Sequence, residues 1–158
     1  MKKINNIITK ILYGLIIINF SILIIACVLQ VFTRFVLNSS LSWTEELARY
    51  TFIWSNMLGA VLCTKNKSNA KVTVITDNIS ESKQIVLSRI CDVISIIIGI
   101  IIAIYGARVA MAVKTQLTPA LRISNFFVFA SAPVFGILLV FYSIYDIYED
   151  YLNKRERS

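Results

Sequence analysis

Four long and nearly uncharged apolar runs constrain the fold of this chain more than any other feature. They cover residues 11–37, 47–63, 90–113 and 126–145. A helix needs roughly 20 consecutive apolar residues to cross a hydrocarbon core of about 30 Å. Because 57% of the chain is apolar, a soluble domain of this size would lack the polar surface to cover its core. We therefore predict an all-α integral membrane protein, a single domain over residues 1–158 with four transmembrane helices at about 11–36, 43–64, 86–113 and 125–148.

The first twenty residues, MKKINNIITKILYGLIIINF, have the basic start and apolar continuation of a secretory signal peptide. The apolar part is too long for such a peptide, and no small-residue cleavage site follows it. We therefore expect a retained first membrane span.

The basic residues predict the orientation. The net charge is +7, but the lysines and arginines sit at the ends of the apolar runs, which favours a membrane surface over nucleic acid as the partner. Eleven lie before the first run, between the second and third, or after the fourth. The other five are Arg34, Arg49, Arg108, Lys114 and Arg122. The positive-inside rule then places both termini and the middle loop in the cytoplasm.

The middle loop contains KVTVITDNIS, in which Val72, Ile75 and Ile79 recur at helical spacing. This pattern predicts a short amphipathic helix at about residues 70–80, lying in the headgroup region of the membrane. An ordered polar loop with a few apolar anchors is the alternative.

Residues that carry catalysis are missing from the sequence. There is no histidine, the three cysteines are isolated, and no glycine-rich phosphate loop is present. Zinc sites and dithiol redox pairs need such residues at close spacing. We expect no enzyme activity, no cofactor and no metal site in this chain.

Two acids and an arginine stand at the start of the second run, in SLSWTEELARYTFIW. Ser42 and Glu45 have the spacing of a capping box, in which Ser42 begins a helix. Arg49 follows Glu45 by four residues and Glu46 by three, so either carboxylate can reach it on a helix.

Large side chains share one face of that predicted helix. Trp43, Glu46, Tyr50 and Trp54 are spaced three or four residues apart. Capping chemistry leaves Glu46 and these aromatic residues without a role. A face rich in aromatic side chains is typical of protein–protein contacts.

Two prolines predict interruptions in the second half of the chain. Pro119 should end or forbid helix in the segment between the third and fourth runs, and Ser124 is a candidate N-cap for the fourth helix. Pro133 falls inside the fourth run, where it should kink the helix and free a backbone carbonyl.

The run RFVLNSSLSWTEELARYTFIWSNMLGAVLCTKNKS resembles the signature of the small membrane subunit of tripartite ATP-independent periplasmic (TRAP) transporters. The later run TPALRISNFFVFASAPVFG is similar to the second signature of that family. Members often carry a histidine after the basic turn, where this chain has Lys71 nearby. The matching positions are Arg34, Trp43, Glu45, Glu46, Leu47, Tyr50, Trp54, Leu58, Gly59 and Ala60 in the first run and Pro119, Phe126, Pro133 and Gly136 in the second.

The resemblance implies a non-catalytic, DctQ-like subunit of a sodium-coupled organic-acid transporter, of the sialic acid or C4-dicarboxylate type, in the bacterial inner membrane. Its implied partners are a large elevator-type subunit, which would carry substrate and sodium, and a periplasmic substrate-binding protein. The small subunit would brace the scaffold of the large one and help to dock the binding protein. A self-contained four-span transporter acting as a homo-oligomer is the alternative.

The sequence and the resemblance together give a set of candidate residues. The predicted partner interface comprises Arg34, Trp43, Glu45, Glu46, Arg49, Tyr50 and Trp54, and the predicted structural positions are Ser42, Gly59, Pro119, Pro133 and Gly136.

Overall fold

The structure is a computed structural model that describes residues 2–38, 41–65 and 81–156. Regular secondary structure in these ranges is entirely helical, which confirms the all-α prediction. In a membrane, a helix satisfies each backbone N–H and C=O within its own segment. The helices are α1 (Lys2–Phe35), α2 (Ser42–Lys65), α3 (Glu81–Ala112), α4 (Phe126–Phe129) and α5 (Ser131–Glu156).

Three stretches of the described chain are long and apolar enough to cross a membrane. They are Asn5–Phe35, Val86–Ala112 and Phe126–Glu149. α2 has 24 residues and is therefore about 36 Å long, which is sufficient length. Its early turns carry two acids and an arginine, and these lower its hydropathy. The predicted count of four spans is thus not confirmed, and the predicted interfacial helix at 70–80 lies outside the described residues.

Contacts divide the chain into two compact units. The first unit comprises Met1–Gly59 and Arg108–Ser131, and the second comprises Ala60–Ala107 and Ala132–Ser158. α1 belongs wholly to the first unit, whereas α2 and α3 contribute to both.

In the first unit, α1 buries only a narrow stripe of its surface. The buried residues Asn5, Thr9, Leu12, Ala26 and Thr33 fall on positions that recur every three or four residues. Most of the large apolar side chains around the rest of α1 are exposed. Small and polar residues are typical of helix contacts in lipid, where burial of apolar groups supplies little driving force.

Asn19 joins α1 to α2 within the first unit. Its side-chain nitrogen Nδ2 donates to the backbone oxygen of Thr51 at 2.7 Å and to Oγ of Ser55 at 2.8 Å. Interhelical hydrogen bonds of this kind contribute about 0.6 kcal/mol on average inside a membrane. The two helices are therefore held in a fixed register at this level.

In the second unit, α3 and α5 approach each other closely at glycines. A Cβ atom added to Gly136 would lie 2.5 Å from the backbone oxygen of Gly99 and 2.6 Å from the backbone nitrogen of Ala103. A Cβ at Gly106 would lie 3.0 Å from Cδ of Pro133. Backbones this close leave no room for a side chain, so a glycine is required at Gly136 by packing.

Replacing Gly136 by alanine is expected to destabilise the protein, because the new methyl group would collide with the backbone of α3. Overpacking of a fitted contact costs about 1–3 kcal/mol. The measurement is the midpoint of thermal unfolding of the detergent-purified protein, followed by circular dichroism. Gly14→Ala is the matched control, since a Cβ there has no neighbour within 4 Å among the residues that the structure describes. Equal midpoints for the two variants would show that the glycine contact is not tight.

Candidate functional site at the first turns of α2

The segment between α3 and α4 folds into a short hairpin, residues 116–125, which we call the capped hairpin. The backbone nitrogen of Thr118 donates to the oxygen of Ile123 at 2.8 Å, and that of Asn125 to the oxygen of Gln116 at 2.9 Å. Arg122 closes the turn with a φ of 55°, a left-handed conformation that is uncommon for residues other than glycine. The backbone path of this hairpin is thus fixed by its own hydrogen bonds.

Pro119 lies at the tip of the capped hairpin and not at the end of a helix. α3 already ends at Ala112, before the proline. The N-cap of α4 is Asn125, so the prediction of Ser124 as the N-cap is wrong. The Oγ of Ser124 instead accepts from the backbone nitrogen of Phe126 at 3.2 Å and donates to the oxygen of Lys114 at 2.6 Å. The hydroxyl therefore serves the first residue of α4 and also closes the base of the hairpin.

Glu46 ties α2 to the tip of the capped hairpin. Its Oε2 accepts from the backbone nitrogens of Ala120 at 2.9 Å and Leu121 at 2.7 Å, and its Oε1 accepts from the hydroxyl of Tyr50. Only 7% of the residue is exposed. All three groups donate to the carboxyl, so the site fits the ionised carboxylate, which only accepts. Hydrogen bonds to an ionised acceptor are stronger than neutral ones.

Glu45, the neighbouring acid, has a different environment. Its Oε1 lies 3.0 Å from the Nη2 of Arg49, and the side chains of the pair are 58% and 64% exposed. The sequence allowed either carboxylate to pair with Arg49, and the structure selects Glu45. An ion pair this exposed contributes little to stability.

The first turn of α2 departs from the predicted capping box. The helix begins at Ser42, one residue earlier than a Ser42 cap would require. The backbone oxygen of Leu41 accepts from both the nitrogen of Thr44 at 3.1 Å and its Oγ1 at 2.7 Å. The turn is therefore closed by Thr44, while Glu45 is paired with Arg49.

Trp54 supports a break in the last helical stretch. α4 ends at Phe129 and α5 begins at Ser131, so the interruption precedes Pro133. Pro133 has no N–H and cannot bond to the carbonyl of Phe129 four residues earlier. Side chains bind the adjacent carbonyls: Nε1 of Trp54 donates to the oxygen of Phe127 at 2.9 Å, and Oγ of Ser131 to that of Val128 at 2.8 Å.

The structure separates the predicted interface residues into two groups. Glu46, Tyr50 and Trp54 are at least partly buried and bonded within the chain. The exposed members are Arg34, Trp43, Glu45 and Arg49. Trp43, Glu46, Tyr50 and Trp54 therefore do not form one open face, and the partner role of the set stays a prediction. The structural role predicted for Gly59 also stays a prediction, since a Cβ there would meet no described residue within 4 Å.

Two features of this region were not predicted. The partners of Glu46 are backbone nitrogens 74 and 75 residues further along the chain, and no local pattern indicates them. Asn19 carries a weak signal, because it is a polar residue in the middle of an apolar run.

A metal site has no support in the part of the chain that the structure describes, where no group of three metal-ligating acids or cysteines occurs.

The long apolar helices are those of a multi-pass membrane protein. Its two neighbouring acids, Glu45 and Glu46, form structural contacts at the start of α2. Comparison with known families gives the class. The family model of the tripartite ATP-independent periplasmic transporters, DctQ component, matches residues 23–153. The chain belongs to this family, which supplies transporter components and not enzymes.

Individual relatives agree with this assignment. A Haemophilus influenzae protein named as a TRAP transporter small permease protein is 35% identical over 61% of this chain, and the chain covers 60% of that protein's length. The sialic acid TRAP transporter small permease protein SiaQ of Vibrio cholerae is 29% identical over 75% of this chain and 69% of its own length. The family match at residues 23–153 spans both signatures.

A third relative is a much longer protein. The isethionate TRAP transporter permease protein DctMQ of Oleidesulfovibrio alaskensis is 31% identical over 62% of this chain, a match that covers only 16% of its own length. A segment similar to this chain is therefore part of a larger permease polypeptide in that relative.

Glu46→Gln is expected to loosen the capped hairpin, because the amide accepts more weakly than the carboxylate and carries two donors of its own. We expect amide hydrogen exchange at Ala120 and Leu121 to become about tenfold faster on loss of the charge-assisted bonds. Hydrogen–deuterium exchange read by mass spectrometry measures this. Glu45→Gln, the same change at the exposed neighbour, should leave the exchange of the hairpin unaltered. Similar exchange in both variants would contradict the assigned role of Glu46.

Trp54→Phe is expected to destabilise the break between α4 and α5. The phenylalanine keeps the apolar ring but leaves the carbonyl of Phe127 without its donor, a loss of about 1 kcal/mol. The midpoint of thermal unfolding reports the change. Trp43→Phe, at an exposed position, is the control and should have no effect. A midpoint that falls equally in both variants would point to general loss of aromatic packing instead.

Proposed function

We propose that this chain is the small, non-catalytic membrane subunit of a sodium-coupled TRAP transporter for organic acids. Family membership over residues 23–153 carries the proposal. The relatives named for sialic acid and isethionate indicate acidic substrates. Sialic acid and C4-dicarboxylates are the classes to test first, and substrate and sodium would bind to the partner subunit.

The large exposed apolar surface supports an accessory role. Isoleucine, valine and phenylalanine side chains cover most of α1 outside its narrow buried stripe, and α3 is similarly exposed. An exposed apolar surface of this extent fits lipid and the scaffold of a large membrane subunit. The long DctMQ relative adds support, because it joins a segment of this kind to a larger permease.

Transport by this chain alone has little physical support. A carrier of organic acids needs polar or cationic groups that line a cavity within the membrane. The acid best placed for such a role, Glu46, is bonded within the chain. The open groove on α1 is lined only by apolar or weakly polar side chains, namely Cys27, Val28, Val31, Phe32, Phe35 and Val36. The homo-oligomeric transporter is therefore the weaker alternative.

We further propose that both termini lie in the cytoplasm and that the capped hairpin faces the periplasm of a bacterial inner membrane. The distribution of lysine and arginine supports this orientation. In the proposed orientation a soluble binding protein can reach the capped hairpin. The small subunit would then help to dock the binding protein and would also brace the large subunit.

Reconstitution tests the proposed function. Proteoliposomes would hold this chain, the large subunit encoded with it, or both, and uptake of labelled sialic acid and succinate would be measured with a sodium gradient and the purified binding protein. We expect uptake only with both membrane subunits, which should also co-purify in detergent. Uptake by this chain alone would overturn the proposal in favour of a self-contained transporter.

A further inference from the structure

The acids at the hairpin end of the first unit are already engaged. Glu45 is paired with Arg49, and Glu46 is buried against the backbone of the capped hairpin. Neither carboxylate is free to neutralise other charges at this end. Any further cation here must find its counter-charge elsewhere.

Three cations at the same end have no ion-pair partner among the described residues. Arg34 ends α1, Lys114 follows α3, and Arg122 closes the turn of the capped hairpin; all three side chains are exposed. The end of the unit therefore carries unpaired positive charge. Such a field attracts an acidic surface and accelerates its association.

The capped hairpin also exposes apolar side chains. Leu117 is 57% exposed and Ile123 is 40% exposed. Both take part in the backbone pairing of the hairpin, since Leu117 pairs with Ser124 and the oxygen of Ile123 accepts from the nitrogen of Thr118. Arginine beside apolar side chains is the composition of the centre of protein–protein interfaces. The exposed surface of the capped hairpin therefore combines a cation with apolar side chains.

The hairpin is held rigidly for an exposed loop. Glu46 fixes the two backbone nitrogens that precede Arg122, and Arg122 itself adopts the left-handed conformation. A lipid phosphate attracts lysine and arginine on any mobile segment and needs no fixed tip. A protein surface benefits from such preorganisation, because less conformational entropy is lost on binding.

We propose that the capped hairpin is the docking element of this subunit, that Arg122 and Lys114 bind a carboxylate-rich surface of the soluble binding protein, and that Glu46 is the positioning residue that holds the hairpin for this contact. This inference rests on the proposed function. It moves the predicted partner contact from the residues of α2 to the capped hairpin, which Glu46 of α2 holds in place.

The test uses the complex of this chain with its large subunit in phosphatidylcholine nanodiscs. Binding of the purified binding protein is measured by biolayer interferometry at 50 and 300 mM sodium chloride. For Lys114→Glu with Arg122→Glu we expect an affinity about tenfold lower at the low salt concentration and a smaller dependence on salt. The matched control, Lys114→Arg with Arg122→Lys, keeps both charges and should bind within about twofold of the wild type.

Glu46→Gln distinguishes positioning from direct charge contact. Both cations remain in this variant, so the affinity should fall while its dependence on salt stays as in the wild type. Glu45→Gln, in the exposed pair, is the comparison at the neighbouring acid. A Glu46→Gln complex that binds with wild-type affinity would overturn the positioning role.

Other outcomes separate the sources of failure. If the wild-type complex binds the protein and the charge reversal changes neither affinity nor salt dependence, the hairpin inference is wrong and the proposed function stands. If the reversal alters only the difference in thermal stability between phosphatidylglycerol and phosphatidylcholine nanodiscs, the cations serve lipid headgroups and the inference is equally wrong. A wild-type complex without binding or uptake would refute the proposed function itself.

Discussion

The carboxylate of Glu46 is the contact on which the hairpin end of the first unit depends. Two backbone nitrogens of the capped hairpin and the hydroxyl of Tyr50 converge on it. Polar groups that are buried outside regular helix bonding need hydrogen-bond partners within the protein. A single buried acid thus allows a non-helical segment to sit beside helices made almost entirely of apolar residues.

Other polar contacts also join helices or bind free backbone carbonyls. Asn19 joins α1 to α2, while Trp54 and Ser131 bind carbonyls at the break between α4 and α5. The glycine contact of α3 with α5 is the apolar counterpart, since it gains dispersion energy by close approach. Helices in lipid gain little from burying isoleucine or valine against each other, so contacts of these two kinds matter for the packing.

Much of the architecture follows from the sequence because it depends on local composition. The first, third and fourth apolar runs largely overlap the stretches that are long and apolar enough to span a membrane, and the length of such runs is set by bilayer thickness. α2 forms a helix where the second run predicts one, but the charges that start it reduce its apolar character. The count of four spans predicted from composition is therefore not confirmed for α2.

The candidate site was only partly predictable. The spacing of Trp43, Glu46, Tyr50 and Trp54 suggested a partner face, and that role stays a prediction. It did not reveal that Tyr50 would bond to Glu46 or that Trp54 would bond to the carbonyl of Phe127. Both outcomes depend on segments that are distant in sequence, and a helical wheel describes only which residues share a face.

The separation between Glu46 and its partners also has a consequence for biosynthesis. The nitrogens that satisfy this carboxylate are made 74 and 75 residues after it, so at about 5–20 residues per second the ribosome supplies them about 4–15 s later. During that interval α2 has been made while its buried acid still lacks a protein donor from the hairpin. The first turns of α2 therefore acquire these two hydrogen bonds only after α3 has been synthesised, which makes the local structure at the start of the second helix dependent on a segment made after the third.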